Sequence, residues 1–239
     1  MRERFLAAMS GQADAGLVFV PDLSYWLTTH PQPGPDTDET YAQFHRHLGV
    51  MAYYRYGVCL CWPQLRGVEI NTESAHGVTL TTWHTPRGPL HKQVTSLPGS
   101  HTEAVTRYPV QNRTDLERLI AAYELAEVVS APREPYEQRM DVMREHDGYP
   151  IVPLPRSPVP ALITDWAGVM NAVLLMEDAP DLCREFFSLA EALCRQAVEI
   201  VADVAPPVVH VCDNLASDIY TPYYESLMAP YYRFALERL

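Results

Sequence analysis

The chain has 239 residues, and its 18 Lys and Arg against 30 Asp and Glu give a formal net charge of −12. Such acidity argues against a protein whose main task is to neutralise nucleic-acid phosphates. No apolar run approaches the roughly 20 residues that span a bilayer, and the chain does not open on the apolar region of a secretion signal. We therefore expect a globular, cytoplasmic protein without a nucleic-acid or membrane partner, whose five cysteines are free thiols.

The first sixty residues predict alternating helices and strands. A helix is predicted over Arg2–Met9, and the apolar run Gly16–Val20, which Pro21 ends, predicts a buried strand. Asp38–Gly49 has the spacing of a helix, and Val58–Trp62 is a second apolar run that predicts a strand.

The middle of the chain has a different pattern. Between Val68 and Thr95, fragments of period-two alternation are separated by turn signals at His76-Gly77 and Pro86–Pro89. This pattern predicts an inserted antiparallel hairpin or meander. The sequence Thr114-Asp-Leu-Glu117 behind it has the pattern of a capping box, which predicts the start of a helix.

Strands and helices alternate again towards the C-terminus. Pro150–Pro155 and Val208–Cys212 predict strands, and the apolar steps of three and four over Asp181–Val204 predict a long helix. A last helix is predicted to open at Thr221-Pro222, with the hydroxyl as its cap, and to run to Leu239. The alternation favours a parallel sheet covered by helices, in the α/β class.

In α/β folds the reactive groups lie just past the C-terminal ends of the strands. This rule selects four segments, residues 22–30, 62–66, 156–165 and 212–218. In or beside them lie the candidate site residues Asp22, Tyr25, Trp26, His30, Arg156, Ser157, Asp165, His210, Asp213 and Ser217.

The segment around Asp213 is the richest. A carboxylate at a strand end is costly to bury unless it pairs or meets a polar ligand, so Asp213 serves either a pocket or the cap of the following loop. His210 and Cys212 share one face of the strand because the side-chain period is two. They either supply a nitrogen and a sulfur ligand to zinc or fill the interior of the fold.

Two other segments also carry two interpretations. The aromatic and polar groups of Tyr25, Trp26 and His30 suit a large flat ligand, or form a packed loop. Arg156, followed by Ser157, either presents its guanidinium to a substrate carboxylate or is a surface arginine in a proline turn.

Several stretches of the sequence, taken in order, carry a family resemblance. They are Arg4–Gly11 with the apolar run after it, Trp83–Leu90 followed by Tyr108–Leu116, and Asp213–Ser217 followed by Thr221-Pro222 and Ala229–Tyr232. Together they resemble the uroporphyrinogen decarboxylase superfamily over the whole chain. The resemblance implies a (β/α)8 TIM barrel with a deep polar cleft, formed by residues 1–239 as one domain with an inserted hairpin at 68–95.

The resemblance also implies that the barrel is incomplete at its C-terminus. The later strands of the family would lie beyond Leu239, so the chain looks like the N-terminal two-thirds of the barrel. It is then either a fragment or the product of a shortened gene that completes its sheet by association, for example as a homodimer, because an open sheet edge invites pairing.

Two activities are implied by the resemblance. One branch of the family decarboxylates the acetate side chains of uroporphyrinogen, a tetrapyrrole, without a cofactor. The other moves a methyl group between a small substrate or thiol and a corrinoid protein, with zinc held by His-x-Cys and a later cysteine. The pair His210-x-Cys212 lies one strand earlier than that zinc pair, so no metal ligand is assigned to this chain.

The segment Pro21–Trp26 decides which activity we expect. Decarboxylases of the family carry an arginine-containing loop at this place, and the chain lacks it. We therefore expect a methyltransferase-like enzyme in which Asp213, His210 and Tyr25 shape the pocket. The alternatives are a uroporphyrinogen decarboxylase, in which Asp213 or Asp22 stabilises a protonated pyrrole, and a truncated barrel that binds without catalysis.

Overall fold

The structure, a computed structural model, describes residues 1–12, 16–30, 36–53, 57–99 and 102–239, without the side chains of Tyr25 and Thr28. The fold is mixed α/β, with 50% helix and 21% strand. The strands of the described residues form sheets of two, four and two strands and no closed barrel.

The elements follow one another along the chain as helices and strands of very different length. The strands are β1 (Cys61–Leu65), β2 (Glu69–Ala75), β3 (Val78–Thr85), β4 (Gly88–Leu97), β5 (Thr102–Arg107), β6 (Ala126–Ser130), β7 (Val152–Leu154) and β8 (Val209–Val211). The helices are α1 (Arg2–Met9), α2 (Ser24–Thr29), α3 (Asp38–His47), α4 (Arg113–Tyr123), α5 (Glu134–Glu145), α6 (Pro158–Ala161), α7 (Gly168–Asp178), α8 (Pro180–Val204), α9 (Ser217–Tyr223) and α10 (Ala229–Arg238). Two π-helical turns lie at Leu162–Ala167 and Tyr224–Met228.

The chain divides into two compact units. The first unit consists of Met1–Leu60, Ser130–Pro153 and Val204–His210, and the second unit consists of Cys61–Val129, Leu154–Asp203 and Val211–Leu239. Each unit has a hydrophobic core of its own.

In the first unit, α3 and α5 are joined by polar contacts at one end. The hydroxyl of Thr37 accepts a hydrogen bond from the Thr40 N–H at 3.2 Å, which caps the start of α3. Arg139 on α5 donates to Asp38 at 2.8 Å. Because Asp38 lies in the first turn of α3, its charge also stabilises the helix dipole.

The predicted strand at Gly16–Val20 is wrong. Regular structure is absent from this described segment, and its side chains Leu17 and Phe19 are 90% and 65% exposed. A strand needs a neighbour for its backbone N–H and C=O groups. Here the Leu17 carbonyl instead accepts a hydrogen bond from the Arg4 guanidinium at 3.0 Å.

The predicted strand at Val58–Trp62 begins later than expected, at Cys61. It is β1, and its neighbour in a two-stranded sheet is β6. The Leu60 carbonyl accepts from the Ala131 N–H at 2.7 Å, and the Arg66 N–H donates to the Leu125 carbonyl at 3.3 Å. These bonds at opposite ends show that the two strands run in opposite directions.

The predicted antiparallel meander is confirmed, and it is longer than expected. β2, β3, β4 and β5 form a four-stranded antiparallel sheet in chain order, which extends to Arg107. Trp83 on β3 lies opposite Leu90 on β4, and both pack in the core of the second unit.

The helix behind the sheet is present, but the predicted cap is wrong. α4 begins at Arg113, and the Asn112 side chain accepts from the Asp115 N–H at 3.1 Å. Asp115 in turn accepts from the Gln111 N–H at 3.1 Å. Asn112 is extended with φ −160, so its side chain reaches the first turn before Thr114 can do so.

The last helix also starts earlier than predicted. α9 begins at Ser217 and contains Pro222, while the Thr221 hydroxyl donates to the Ser217 carbonyl at 2.6 Å. Thr221 is therefore inside the helix and does not cap it. A proline inside a helix removes one backbone donor and crowds the preceding turn, and the helix widens to the π form directly after it, at Tyr224.

The remaining predicted elements of the C-terminal half are confirmed. The long helix is α8, Pro180–Val204, and the two predicted strands are β7 and β8. Upstream of α8, the helical stretch Pro158–Asp178 is apolar enough to cross a membrane by length and composition, and it is the only such stretch in the described part of the chain. Half of its most apolar window is buried inside the protein.

Candidate functional site at the ends of β7 and β8

The two short strands β7 and β8 pair with each other and bring their C-terminal ends together. Within the sheet, the Val152 N–H donates to the Val208 carbonyl at 3.2 Å. Past the strand ends, Arg156 donates to the Cys212 carbonyl. Val208 follows Val152, and Cys212 follows Arg156, by the same number of residues. The pairing therefore advances in the same direction along both strands, which shows that they are parallel.

Arg156 is the cation of the cluster. Its Nε lies 3.2 Å from each carboxylate oxygen of Asp165, and its Nη1 donates to the Cys212 carbonyl. Nη2 makes no hydrogen bond to any described residue, and the side chain is 21% exposed. A guanidinium held in this way offers its remaining N–H groups to an anion such as a carboxylate.

Asp213 is the anion at the end of β8. Its Oδ1 accepts from the Ser157 N–H at 3.0 Å, and its Oδ2 accepts from the Tyr232 hydroxyl at 2.7 Å. The Ser157 hydroxyl lies 3.3 Å from the Tyr232 hydroxyl. Both donors to Asp213 are neutral, so they fix the carboxylate without cancelling its charge, and each oxygen keeps a lone pair for a ligand.

The protonation of the cluster follows from its burial. Burial raises the pKa of Asp165, although the charge of Arg156 opposes this shift. Burial also raises the pKa of Tyr232 far above its ordinary value, and its hydrogen bond to Asp213 acts in the same direction. Tyr232 therefore stays protonated and remains a hydrogen-bond donor at physiological pH.

Several residues of this region are absent from the sequence-based candidates, among them Tyr232, Cys194 and Tyr231. The Cys194 thiol donates to the Arg156 carbonyl at 3.4 Å, and burial raises its pKa to about 12, so it is a structural thiol and not a nucleophile. The Tyr231 hydroxyl is buried without a partner among the described residues.

The sequence signal for the tyrosines is the stretch Ala229–Tyr232, which contributes to the family resemblance without being assigned a role. The two π-helical turns are a structural signal that the sequence does not reveal. One contains Asp165, and the other ends immediately before α10, which carries Tyr232. Such turns are rare and occur frequently at functional sites.

The second unit thus brings together four of the sequence-predicted site residues, Arg156, Ser157, Asp165 and Asp213. Ser217, also in this unit, is exposed at the start of α9. The cluster can bind a molecule that presents a carboxylate to Arg156 and a hydrogen-bond donor or cation to Asp213.

The remaining predicted residues belong to the first unit. Asp22 accepts a local hydrogen bond from the Ser24 N–H at 3.0 Å. The ring of Trp26 is 42% exposed and lies parallel to that of His30, with centroids 4.5 Å apart. His210 is on β8 and partly buried, and the side chain of Tyr25 lies outside the described residues.

The donor set does not fit the zinc site of the methyltransferase branch. His210 and Cys212 are two ligands at most, and the described residues contain no group of three or more His, Cys, Asp or Glu that could hold a metal ion. A zinc site needs at least three protein ligands. We derive no step of the reaction through zinc.

Three comparisons with known proteins return no match. No protein-family model, no curated protein and no solved structure matches the chain. The geometry of the second unit and the resemblance in the sequence are therefore the grounds on which a function can be proposed.

Proposed function

We propose that the chain is a (β/α)8-barrel protein of the uroporphyrinogen decarboxylase superfamily, and that the cluster at the ends of β7 and β8 belongs to its substrate site. One observation carries this proposal: the Asp213 carboxylate is held by neutral donors near a guanidinium that keeps Nη2 for a ligand. Parallel strand ends are where α/β enzymes place their reactive groups.

The activity that we propose first is transfer of a methyl group between a small substrate or thiol and the corrinoid of a partner protein. The sequence supports it, because Pro21–Trp26 stands where the decarboxylases carry their arginine-containing loop. In this reaction Arg156 binds a carboxylate of the substrate, and Asp213 accepts a hydrogen bond from it. The two side chains thereby orient the substrate, which lowers the entropic part of the barrier.

Decarboxylation of a tetrapyrrole acetate is the second candidate, and the geometry of Asp213 favours it. A pyrrole that becomes protonated carries a positive charge in the transition state. A carboxylate that is fixed but not neutralised stabilises such a charge without reorganising during the reaction. Arg156 would hold one of the substrate's carboxylates.

An assay of purified protein tests the proposal and separates the two activities. We would measure CO2 release from uroporphyrinogen, demethylation of a methylated corrinoid by a thiol, and bound zinc. Asp213→Asn is expected to lower the active reaction by about 10²-fold, and Arg156→Lys is expected to raise KM. Asp181→Asn, which removes an exposed carboxylate on α8, is the matched control.

The outcomes are distinct. Consumption of uroporphyrinogen by zinc-free protein would replace methyl transfer with decarboxylation. If folded protein catalyses neither reaction, the remaining hypothesis is a barrel that binds a ligand without catalysis. If both Asp213→Asn and Arg156→Lys retain wild-type activity, the cluster does not belong to the substrate site.

The expected location and assembly belong to the same proposal. We propose a cytoplasmic location, which fits the free thiols. We also propose a homodimer in which the partner chain covers an open sheet edge. Size-exclusion chromatography with light scattering measures the assembly directly, and a monomer at all concentrations would contradict the homodimer.

A further inference from the structure

The first unit contains a cavity of about 490 Å³ that is separate in its residues from the polar cluster of the second unit. Arg2 of α1, one face of α5, Tyr149 and the segment after α8 line it. Its volume lies within the roughly 300–1,000 Å³ that is typical of small-molecule sites.

The α5 helix supplies one wall because of its residue spacing. Tyr136 and Met140 are four residues apart, so they lie one above the other on the same face of the helix. Tyr149 is 9% exposed and adds a second aromatic ring. Burial raises the pKa of the Tyr136 hydroxyl, so this aromatic part of the wall is uncharged at neutral pH. The wall therefore suits a flat apolar group.

The charges around the cavity are not equally committed. Asp141 and Arg144 form an ion pair with each other at 3.2 Å. The Arg2 guanidinium lies over the ring of Tyr149, 5.4 Å from its centroid, and forms no ion pair with a described side chain. The Glu137 carboxylate likewise has no ion-pair partner in the described part of the chain. The charge of Arg2 also acts on the Asp147 carboxylate, which forms its ion pair with the Met1 ammonium group. Arg2 and Glu137 are thus one cation and one anion without an ion-pair partner in the described part of the chain.

We propose that this cavity binds a small aromatic zwitterion, of the class of a free aromatic amino acid. Its carboxylate meets Arg2, its ammonium group meets Glu137, and its ring packs against Tyr136, Met140 and Tyr149. The ammonium and carboxylate groups of such a ligand share one carbon, and its ring lies at the opposite end. The ligand therefore offers a cation, an anion and an apolar ring to the three kinds of group that line the cavity.

The test uses three ligands that differ by one charged group. L-phenylalanine has both charges, 3-phenylpropionate lacks the ammonium group, and phenethylamine lacks the carboxylate. Isothermal titration calorimetry on the whole chain measures each affinity. Wild-type protein is expected to bind phenylalanine about 10-fold or more tightly than either analogue, because each analogue loses one charge-assisted hydrogen bond.

Two variants assign the two charged groups of the ligand. Glu137→Gln is expected to abolish the preference for phenylalanine over 3-phenylpropionate and to keep its preference over phenethylamine. Arg2→Gln is expected to do the reverse. Glu134→Gln and Arg133→Gln are the matched controls, because both change exposed charges at the start of α5 that do not line the cavity.

Met140→Trp fills the cavity and is expected to weaken all three ligands, while thermal melting confirms that it is folded. Absence of saturable phenylalanine binding to wild-type protein would overturn the proposal. So would equal losses for the three ligands in Glu137→Gln and Arg2→Gln. Asp213→Asn is expected to bind phenylalanine as wild type does, so failure here is independent of the proposed function of the second unit.

Discussion

Asp22 in the first unit and Asp213 in the second unit look alike in the sequence and differ in the structure. Each follows an apolar run that predicts a strand. Asp213 follows a real strand, β8, and accepts from the backbone of Ser157 and from Tyr232. Asp22 follows a segment without a strand and accepts from the N–H of Ser24, two residues further on.

The difference shows what gives a strand-end carboxylate its chemical meaning. A paired strand places its end beside the end of its neighbour, and side chains distant in the sequence then converge on it. Without a strand, an aspartate bonds to its own backbone and forms a local turn. A polar residue after an apolar run is thus a candidate site residue only if the run pairs.

The largest effect on stability is expected when each of the two aspartates is replaced by alanine and the losses are compared. Asp213→Ala leaves the Ser157 N–H and the Tyr232 hydroxyl without their acceptor, so we expect a loss of about 1–3 kcal/mol in the free energy of unfolding. Asp22→Ala removes one local hydrogen bond and a charge that acts on His45, and we expect a change within about 0.5 kcal/mol near neutral pH, where His45 is uncharged. Urea unfolding measures both. Equal losses would contradict the distinction between the two aspartates.

A smaller effect is expected from the donor on the other side of Asp213. Tyr232→Phe removes one hydroxyl that donates to the carboxylate, and we expect a cost of about 0.5–1.5 kcal/mol. Tyr224→Phe is the matched control, because that ring lies 6.0 Å from Tyr232 and is 38% exposed. If both variants unfold at the same urea concentration, the hydrogen bond contributes nothing measurable.

Acidification should act on the first unit through His45. Burial lowers the pKa of this side chain, which has no exposed surface. The unfolded chain then binds a proton at a pH where the folded chain does not, so the stability contributed above pH 6.5 is lost as the pH falls through the folded pKa. His45→Gln should flatten the dependence of unfolding free energy on pH between about 7 and 5. His47→Gln, exposed at the end of α3, should retain the dependence.

The second unit should respond with the opposite sign through Asp165. Burial raises the pKa of this carboxyl group, so the folded chain binds its proton more readily than the unfolded chain. Its contribution is most favourable below the ordinary value of 3.8 and is lost as the pH rises through the folded pKa. The free energy of unfolding of Asp165→Asn should therefore increase relative to that of wild type as the pH rises from 3 to 7. A constant difference over this range would contradict the shift.

The elements that depend on regular spacing are predictable from the sequence. α8 follows from apolar residues at steps of three and four, and the sheet from β2 to β5 follows from alternation and turns. Both patterns depend only on residues that are close to one another in the sequence. The helix cap is harder to predict, because spacing does not say at which residue the chain enters the helix. The cap of α4 is Asn112 and not Thr114 for this reason.

What the sequence by itself determined is the mixed α/β class, the antiparallel meander, α8, the strands β7 and β8, and four of the polar residues that form the cluster of the second unit. The tertiary structure alone decided that Gly16–Val20 stays unpaired and that Tyr232 lies on Asp213. The physical reason is distance along the chain. Arg156 and Cys212 are 56 residues apart, and no local pattern encodes a contact that exists only after β7 and β8 have paired.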